Sequence, residues 1–278
     1  MRAEEVRTIL ESLDKRPSKR LGQHFLLDER VMRSQIELAG LRPGDVVLEV
    51  GPGIGNLTEA ILDTGAKVVA VEADGSFCRF LTRRFGERIR LVHGDAVSAF
   101  LPEFQKVVSN LPYQISSPIT FRLLEIGFEK AVLMVQREFA QRMTAKPGTR
   151  DYGRLSVGVY YRAHCEMAMK VSRAAFWPQP RVDSSVVVLT PRKPSFSVAD
   201  EKVFYDVTKA IFSHRRKKVM NALAGNPSSR GYFAGATDTP DFGGLPNASK
   251  RAEQLTPEEI GELSDAFLDL VSSLRRTA

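Results

Sequence analysis

Four short segments carry residues whose types and spacing can do chemistry. In Glu49-Val50-Gly51-Pro52-Gly53-Ile54-Gly55-Asn56 three glycines fall on alternate positions. Glycine allows close backbone approach, and a helix start just after it offers free N–H groups, so such a turn can seat a ligand. Glu72 follows 21 positions after Gly51, where a carboxylate can accept from ribose hydroxyls. Asp95, in His93-Gly94-Asp95-Ala96, can accept from a purine amino group. Asn110-Leu111-Pro112-Tyr113 joins an amide, a stiff proline and an aromatic face.

The glycine spacing argues against a pyrophosphate. The dinucleotide fingerprint is G-x-G-x-x-G; here the third glycine comes one residue early, at Gly55, with Asn56 in its place. A ligand with ribose and adenine but no phosphate fits better, and S-adenosylmethionine is one. Its sulfonium already makes the methyl group electrophilic, so the protein needs no metal and mainly supplies position. The second half of the chemistry lies at Asn110. An adenine N6 lone pair is delocalised into the ring. Two acceptors on its hydrogens, the Asn110 side-chain oxygen and the Leu111 carbonyl, favour a pyramidal nitrogen with the lone pair turned outward. Pro112 stiffens that corner and Tyr113 offers a face for stacking. Singly, each feature has an ordinary reading: a turn, a surface acid, a helix cap, a strand end with a packed tyrosine. Their order and spacing together favour a site.

The elements that must position these residues alternate. Asp45–Val50, Ala66–Asp74, Ile89–Ala96, Lys106–Asn110 and Lys130–Gln136 read as apolar strands. Helices fall between them: one from Asn56, taken as its N-cap with Glu59 three residues on and Gly65 past its end; one over Ser76–Gly86; and one opened by Ser117-Pro118. Such alternation means a parallel sheet covered on both faces. Leu155–Val171 and Ser184–Thr190 read as two late strands, antiparallel at the sheet edge. After a Pro/Ser break at 191–197 the pattern is helical: Asp200–Phe212, His214–Leu223, and Thr256–Arg276 with a Thr256/Glu259 capping box. The 225–248 stretch reads as a long loop. Residues 3–14 form a short amphipathic helix before a basic linker, Lys15-Arg16-Pro17-Ser18-Lys19-Arg20. The expected domains are 1–192, including that helix and linker in 1–20, and 193–278.

Composition is ordinary for a soluble protein. The 278 residues, 43% hydrophobic and 26% charged, suit one large or two unequal domains. A net charge of +7 favours polyanionic partners. Two distant cysteines, Cys78 and Cys165, exclude a disulfide framework and suggest reduced thiols in the cytoplasm. No apolar run approaches the roughly 20 residues of a membrane span, and the N-terminus does not read as a signal peptide.

The sequence resembles the ribosomal RNA adenine dimethyltransferases, the KsgA family. The matching segments are LGQHFL (21–26), LEVGPGIGNLT (48–58), VEAD (71–74), GDA (94–96), NLPYQISSPI (110–119) and FWPQPRVDSS (176–185). The resemblance implies a Rossmann-like class I methyltransferase domain, an α/β fold with a mostly parallel seven-stranded sheet, followed by a smaller helical RNA-binding domain. It implies S-adenosyl-L-methionine as cofactor, S-adenosyl-L-homocysteine as product, and no metal. His24, Leu26, Gly51, Gly53, Glu72, Asp95 and Asn110 look like the cofactor set; many relatives have Asn at the place of His24. Asn110, Leu111, Pro112 and Tyr113 look like the catalytic corner, with Phe176 as a second aromatic wall opposite Tyr113. The implied substrate is two adjacent adenines in the hairpin loop near the 3′ end of small-subunit rRNA, dimethylated on N6 by a cytoplasmic monomer. With RNA as substrate, Arg215, Arg216, Lys217 and Lys218 read as phosphate contacts rather than a solvated helix face. The rival readings are an Erm-type enzyme acting on large-subunit rRNA, a non-catalytic ribosome-assembly or RNA-binding factor, and a nicotinamide oxidoreductase, which the glycine spacing disfavours.

Overall fold

The computed structural model describes residues 2–17, 23–234 and 239–276. Ser18, Lys19, Arg20, Leu21 and Gly22 of the motifs above lie outside them. Contacts divide the chain into two units, 1–141 with 164–191 and 142–163 with 192–278. The division therefore differs from a single cut at residue 192.

The first unit runs α1 (Ala3–Ser12), β1 (Phe25–Leu26), α2 (Glu29–Ala39), β2 (Val46–Val50), α3 (Asn56–Leu62), β3 (Lys67–Glu72), α4 (Gly75–Phe85), β4 (Ile89–His93), β5 (Lys106–Asn110), α5 (Ser116–Ile126), β6 (Lys130–Gln136) and most of α6 (Arg137–Met143). After α7 (Arg154–Arg162), which belongs to the second unit, the chain returns with β7 (Ala163–Val171), β8 (Phe176–Trp177) and β9 (Ser184–Pro191). Seven strands form one sheet, as expected, and their order is β4-β3-β2-β5-β6-β9-β7. The first five are parallel and β9 is antiparallel to β6. The Val-rich strands are buried on both faces, as a sheet covered by helices requires. The chain lays β3 and β4 on one side of β2, then returns to place β5 on the other. A sheet of this kind opens its crevice at that reversal.

The local structure differs from the sequence pattern at several places, among them the 225–248 stretch, which holds a helix at Pro227–Gly231 instead of loop throughout. Gly55 with φ +86°, not Asn56, precedes α3, so Asn56 is the first helical residue. Its freed amide donates to the Leu26 carbonyl at 3.2 Å. Helix α5 begins at Ser116 after a turn over Tyr113–Ile115, leaving Pro118 third in the helix. Proline is tolerated there because the first turn's N–H groups have no helical partner. Arg154–Arg162 is helical, and the strand starts only at Ala163. The apolar run of Leu155–Tyr161 suits a buried strand or a buried helix equally. Packing of Val157 and Tyr161 into the second unit's core decides for helix.

That second unit continues with α8 (Glu201–Phe212), α9 (Val219–Ala224), α10 (Pro227–Gly231) and α11 (Pro257–Arg276). Its core joins Phe204, Val207 and Ile211 of α8 to Ile260, Leu263 and Phe267 of α11, with Phe233 and Phe242 from the connecting stretch. Thr256 Oγ1 accepts from Glu259 N at 3.2 Å, and Glu259 Oε2 accepts from Thr256 N at 2.9 Å, the reciprocal cap read from sequence. His214–Lys217 lie in a turn, and α9 starts after them, so the basic run does not open a helix.

Candidate active site

Strands β2 and β5 pair only at Val47–Lys106 and Leu48–Val107. Beyond that they part, and the Ser109 hydroxyl spans the gap: it donates to Val50 O at 2.7 Å and accepts from Val50 N at 3.2 Å. The parting opens a cavity of about 310 Å³ at the carboxyl ends of the strands. His24, Leu26, Gly51, Gly53, Glu72, Asp95, Asn110, Leu111, Pro112, Tyr113 and Phe176 all line it. The two halves of the proposed chemistry thus face one space.

The glycine turn is built for close approach. Gly51 and Gly53 have φ of +69° and +58°. A Cβ on Gly51 would lie 3.1 Å from Pro112 Cγ, so the turn after β2 and the corner after β5 touch there. Glu72 closes the next position. It is 7% exposed, and its two carboxylate oxygens accept from Gly53 N at 3.1 Å and Asp74 N at 2.8 Å. Burial pushes its pKa up, against the pull of those two N–H donors. Asp95 accepts from Val97 N at 2.9 Å, which leaves its other oxygen uncommitted to that turn.

At the end of β5, Leu111 N donates to Met134 O at 3.0 Å, anchoring the corner to β6. No described residue donates to the Leu111 carbonyl. Tyr113 and Ser184 share a hydroxyl hydrogen bond of 2.7 Å that fixes the phenol, and burial raises the Tyr113 pKa. The His24 ring lies 5.9 Å from the Tyr113 ring, tilted by 30°. His24 Nδ1 donates to the Pro178 carbonyl at 2.7 Å. A two-stranded ribbon pairs Phe25 with Trp177 and Leu26 with Phe176, so one small element holds a candidate cofactor residue and a candidate substrate residue. Phe176 is both a core residue, 4% exposed, and a wall of the cavity.

Three features escaped the reading of the sequence. Glu49, 2% exposed on β2, lines the cavity and accepts from Thr58 Oγ1 at 2.6 Å. Burial pushes its pKa up to about 8. Its signal was an acid inside the apolar run Val46–Val50. Gln35 is fully buried on α2 and donates to Asn110 Oδ1 at 3.0 Å. Helix α1 packs Val6 and Leu10 against Phe25, Ile54 and Phe77, all three of which line the cavity. Lys15, read as part of a basic linker, instead pairs with Asp74 at 2.9 Å.

The basic run lies in the second unit. Arg216, Lys217 and Lys218 are exposed. Arg215 is committed: its Nε donates to Glu253 at 2.9 Å, and its terminal nitrogens to the Thr149 and Arg150 carbonyls.

Comparison with known proteins agrees with this layout. A sequence profile described as ribosomal RNA adenine dimethylase matches residues 15–235. A probable ribosomal RNA small subunit methyltransferase A from Pyrococcus abyssi is 43% identical over 251 residues, covering 90% of this chain and 91% of that protein. Its namesake in Methanosarcina mazei is 46% identical over 258 residues, covering 90% and 93%. The crystal structure of a dimethyladenosine transferase from Plasmodium falciparum aligns with a TM-score of 0.71 at 28% identity, over 88% of this chain and 98% of that one. The 23S rRNA methyltransferase ErmE aligns with a TM-score of 0.59 at 29% identity, over 90% and 99%.

Proposed function

The chain belongs to the ribosomal RNA adenine dimethylase family, and from that premise we propose that it dimethylates N6 of two adjacent adenosines in the hairpin loop near the 3′ end of small-subunit rRNA. The observation that carries the proposal is the meeting of Gly51 and Pro112 on one cavity, which brings the glycine turn and the Asn110–Tyr113 corner to the same space. The residues fit S-adenosylmethionine. Gly51 and Gly53 hold positive φ, and the missing side chains let the turn pack directly against Pro112 and Phe25. Glu72 and Asp95 supply acceptors for ribose and adenine. His24 and Leu26 close the side, and Glu49 supplies a buried carboxyl able to balance a cation. When bound, this cofactor supplies a methyl group already electrophilic at its sulfonium.

The chain's own residues do the rest. Asn110 Oδ1 and the Leu111 carbonyl accept hydrogen bonds from the N6 hydrogens, two in the first transfer and the one remaining in the second, which favours a pyramidal nitrogen with its lone pair outward; each transfer then releases one N6 proton to solvent. Pro112 holds the corner rigid. Tyr113 and Phe176 flank the extruded base, and an unpaired loop base is cheap to extrude. Arg216, Lys217 and Lys218, without Arg215, meet RNA phosphates and set orientation. The small-subunit target is supported by the names of the curated relatives. We infer a single-chain site, since every residue assigned to the cavity comes from one unit, and a cytoplasmic reaction from the rRNA-modifying relatives and the two free cysteines.

The test is to map N6,N6-dimethyladenosine in small-subunit rRNA from cells with and without the protein. In parallel, purified protein is offered undermethylated small subunits and protein-free large-subunit RNA. Methylation of the large-subunit RNA alone would overturn the proposal in favour of an ErmE-like activity.

A further inference from the structure

We propose that Gln35, which does not reach the cavity, is a positioning residue that orients the Asn110 carboxamide. The inference rests on the reading of Asn110 as the acceptor for the adenine amino group. Gln35 lies on the buried face of α2 with Val31, Met32 and Ala39. It is fully buried and is not among the residues lining the cavity. Its Nε2 donates to Asn110 Oδ1 at 3.0 Å. Its own Oε1 has no hydrogen-bond partner among the described residues. An unpaired buried acceptor is destabilising, and an apolar side chain of similar length would fill the same stripe without that penalty. What the glutamine adds at this position is one donor, aimed at the amide that closes β5.

A carboxamide can present either its oxygen or its NH₂ to a neighbour, and the two choices differ by a half-turn about its last bond. With the Gln35 N–H facing Asn110, the two choices separate in energy. A joint half-turn, with Asn110 Nδ2 donating to Gln35 Oε1, would bury the Gln35 NH₂ where its unpaired oxygen now lies, and orphaned N–H groups are costlier than under-satisfied carbonyls. With Oδ1 toward Gln35 the bond is made. With Nδ2 there, two N–H groups face each other. Gln35 therefore holds the carbonyl in one orientation and takes one of its two lone pairs, leaving the second for an incoming N–H. An acceptor oriented before the substrate arrives need not reorganise in the transition state. Gln35 acts on the reaction only through Asn110, across 75 positions of sequence.

The experiment is a double-mutant cycle in the full chain. Gln35→Leu removes the donor and the orphaned oxygen together; Gln35→Met serves in its place if the leucine fails to fold. Melting temperature and S-adenosylmethionine affinity should stay at wild-type values or rise. KM for undermethylated small subunits should be unchanged, and kcat should fall about tenfold, the scale of one oriented hydrogen bond. In the Asn110→Ala background, the same Gln35 substitution should cost nothing further in single-turnover rate. The Asn110 side-chain amide signals in an ¹⁵N NMR spectrum, assigned by their disappearance in Asn110→Ala, should shift in Gln35→Leu. An unchanged kcat, an equal fractional loss in both backgrounds, or a loss that tracks melting temperature would each overturn the positioning role. If Asn110→Ala itself turned over normally, the parent reading would fall and take this inference with it. An inactive Asn110→Ala beside a normal Gln35→Leu would remove this inference alone.

Discussion

Glu49 makes a stability prediction with a definite sign. The carboxyl is 2% exposed on β2 and bonded to Thr58 Oγ1 at 2.6 Å. Its pKa rises from 4.5 to about 8; burial is the main cause, the facing Glu72 adds to it, and the Thr58 bond opposes it. Between those values the folded state holds a proton that the unfolded chain has released. Stability must therefore fall as pH rises from about 4.5 through about 8, and level off above. Taken whole, that interval sets a ceiling of about 5 kcal/mol. Relaxation around the ionised group lowers the expected loss to about 2–3 kcal/mol. Glu49→Gln keeps an acceptor for Thr58 and cannot titrate, so it should lack this loss, while Glu72 titrates in both proteins. Urea unfolding of the cofactor-free protein at several pH values between about 5 and 9 reads the difference. Parallel curves for the two proteins would refute the buried, protonated carboxyl. The same carboxyl predicts that a cationic cofactor binds more tightly as pH rises toward 8, because binding then need not expel the proton.

Asn110→Ala should lower methyl transfer by at least about 100-fold while leaving melting temperature within a few degrees; single-turnover assays on small subunits measure it. Tyr113→Ala and Phe176→Ala should weaken capture of the target base more than cofactor binding, and equal losses in RNA KM and cofactor affinity would count against stacking. Gly55→Ala places a Cβ 2.4 Å from Phe85 Cε2 at φ +86°, so it should destabilise the fold by about 2–4 kcal/mol in urea unfolding. Neutralising Arg216, Lys217 and Lys218 should lower RNA affinity and reduce its salt slope by about 0.7–0.9 for each phosphate that those cations neutralise. Arg215→Ala should instead lower melting temperature, since that side chain ties Glu253 to the Thr149 and Arg150 carbonyls.

Features that rest on local signals were legible in the amino-acid order. Period and β-branching mark β2 to β6, because a parallel strand is apolar along its whole length. Gly51, Glu72, Asp95 and Asn110 stand out because each breaks that pattern where a strand ends, and strand ends of one sheet share an edge. Tertiary structure alone decided what depends on partners far along the chain. Leu155–Tyr161 is helix rather than strand because the second unit's core claims Val157 and Tyr161. Asn56 leaves the cap position because Gly55 makes the turn and the Leu26 carbonyl takes its amide. Arg215 is withdrawn from its basic run by acceptors 38 and about 65 positions away. Glu49 and Gln35 were visible as polar residues in apolar stripes. What each faces, a cavity for one and the Asn110 amide for the other, follows only from packing, because burial and hydrogen-bond geometry are properties of neighbours in space.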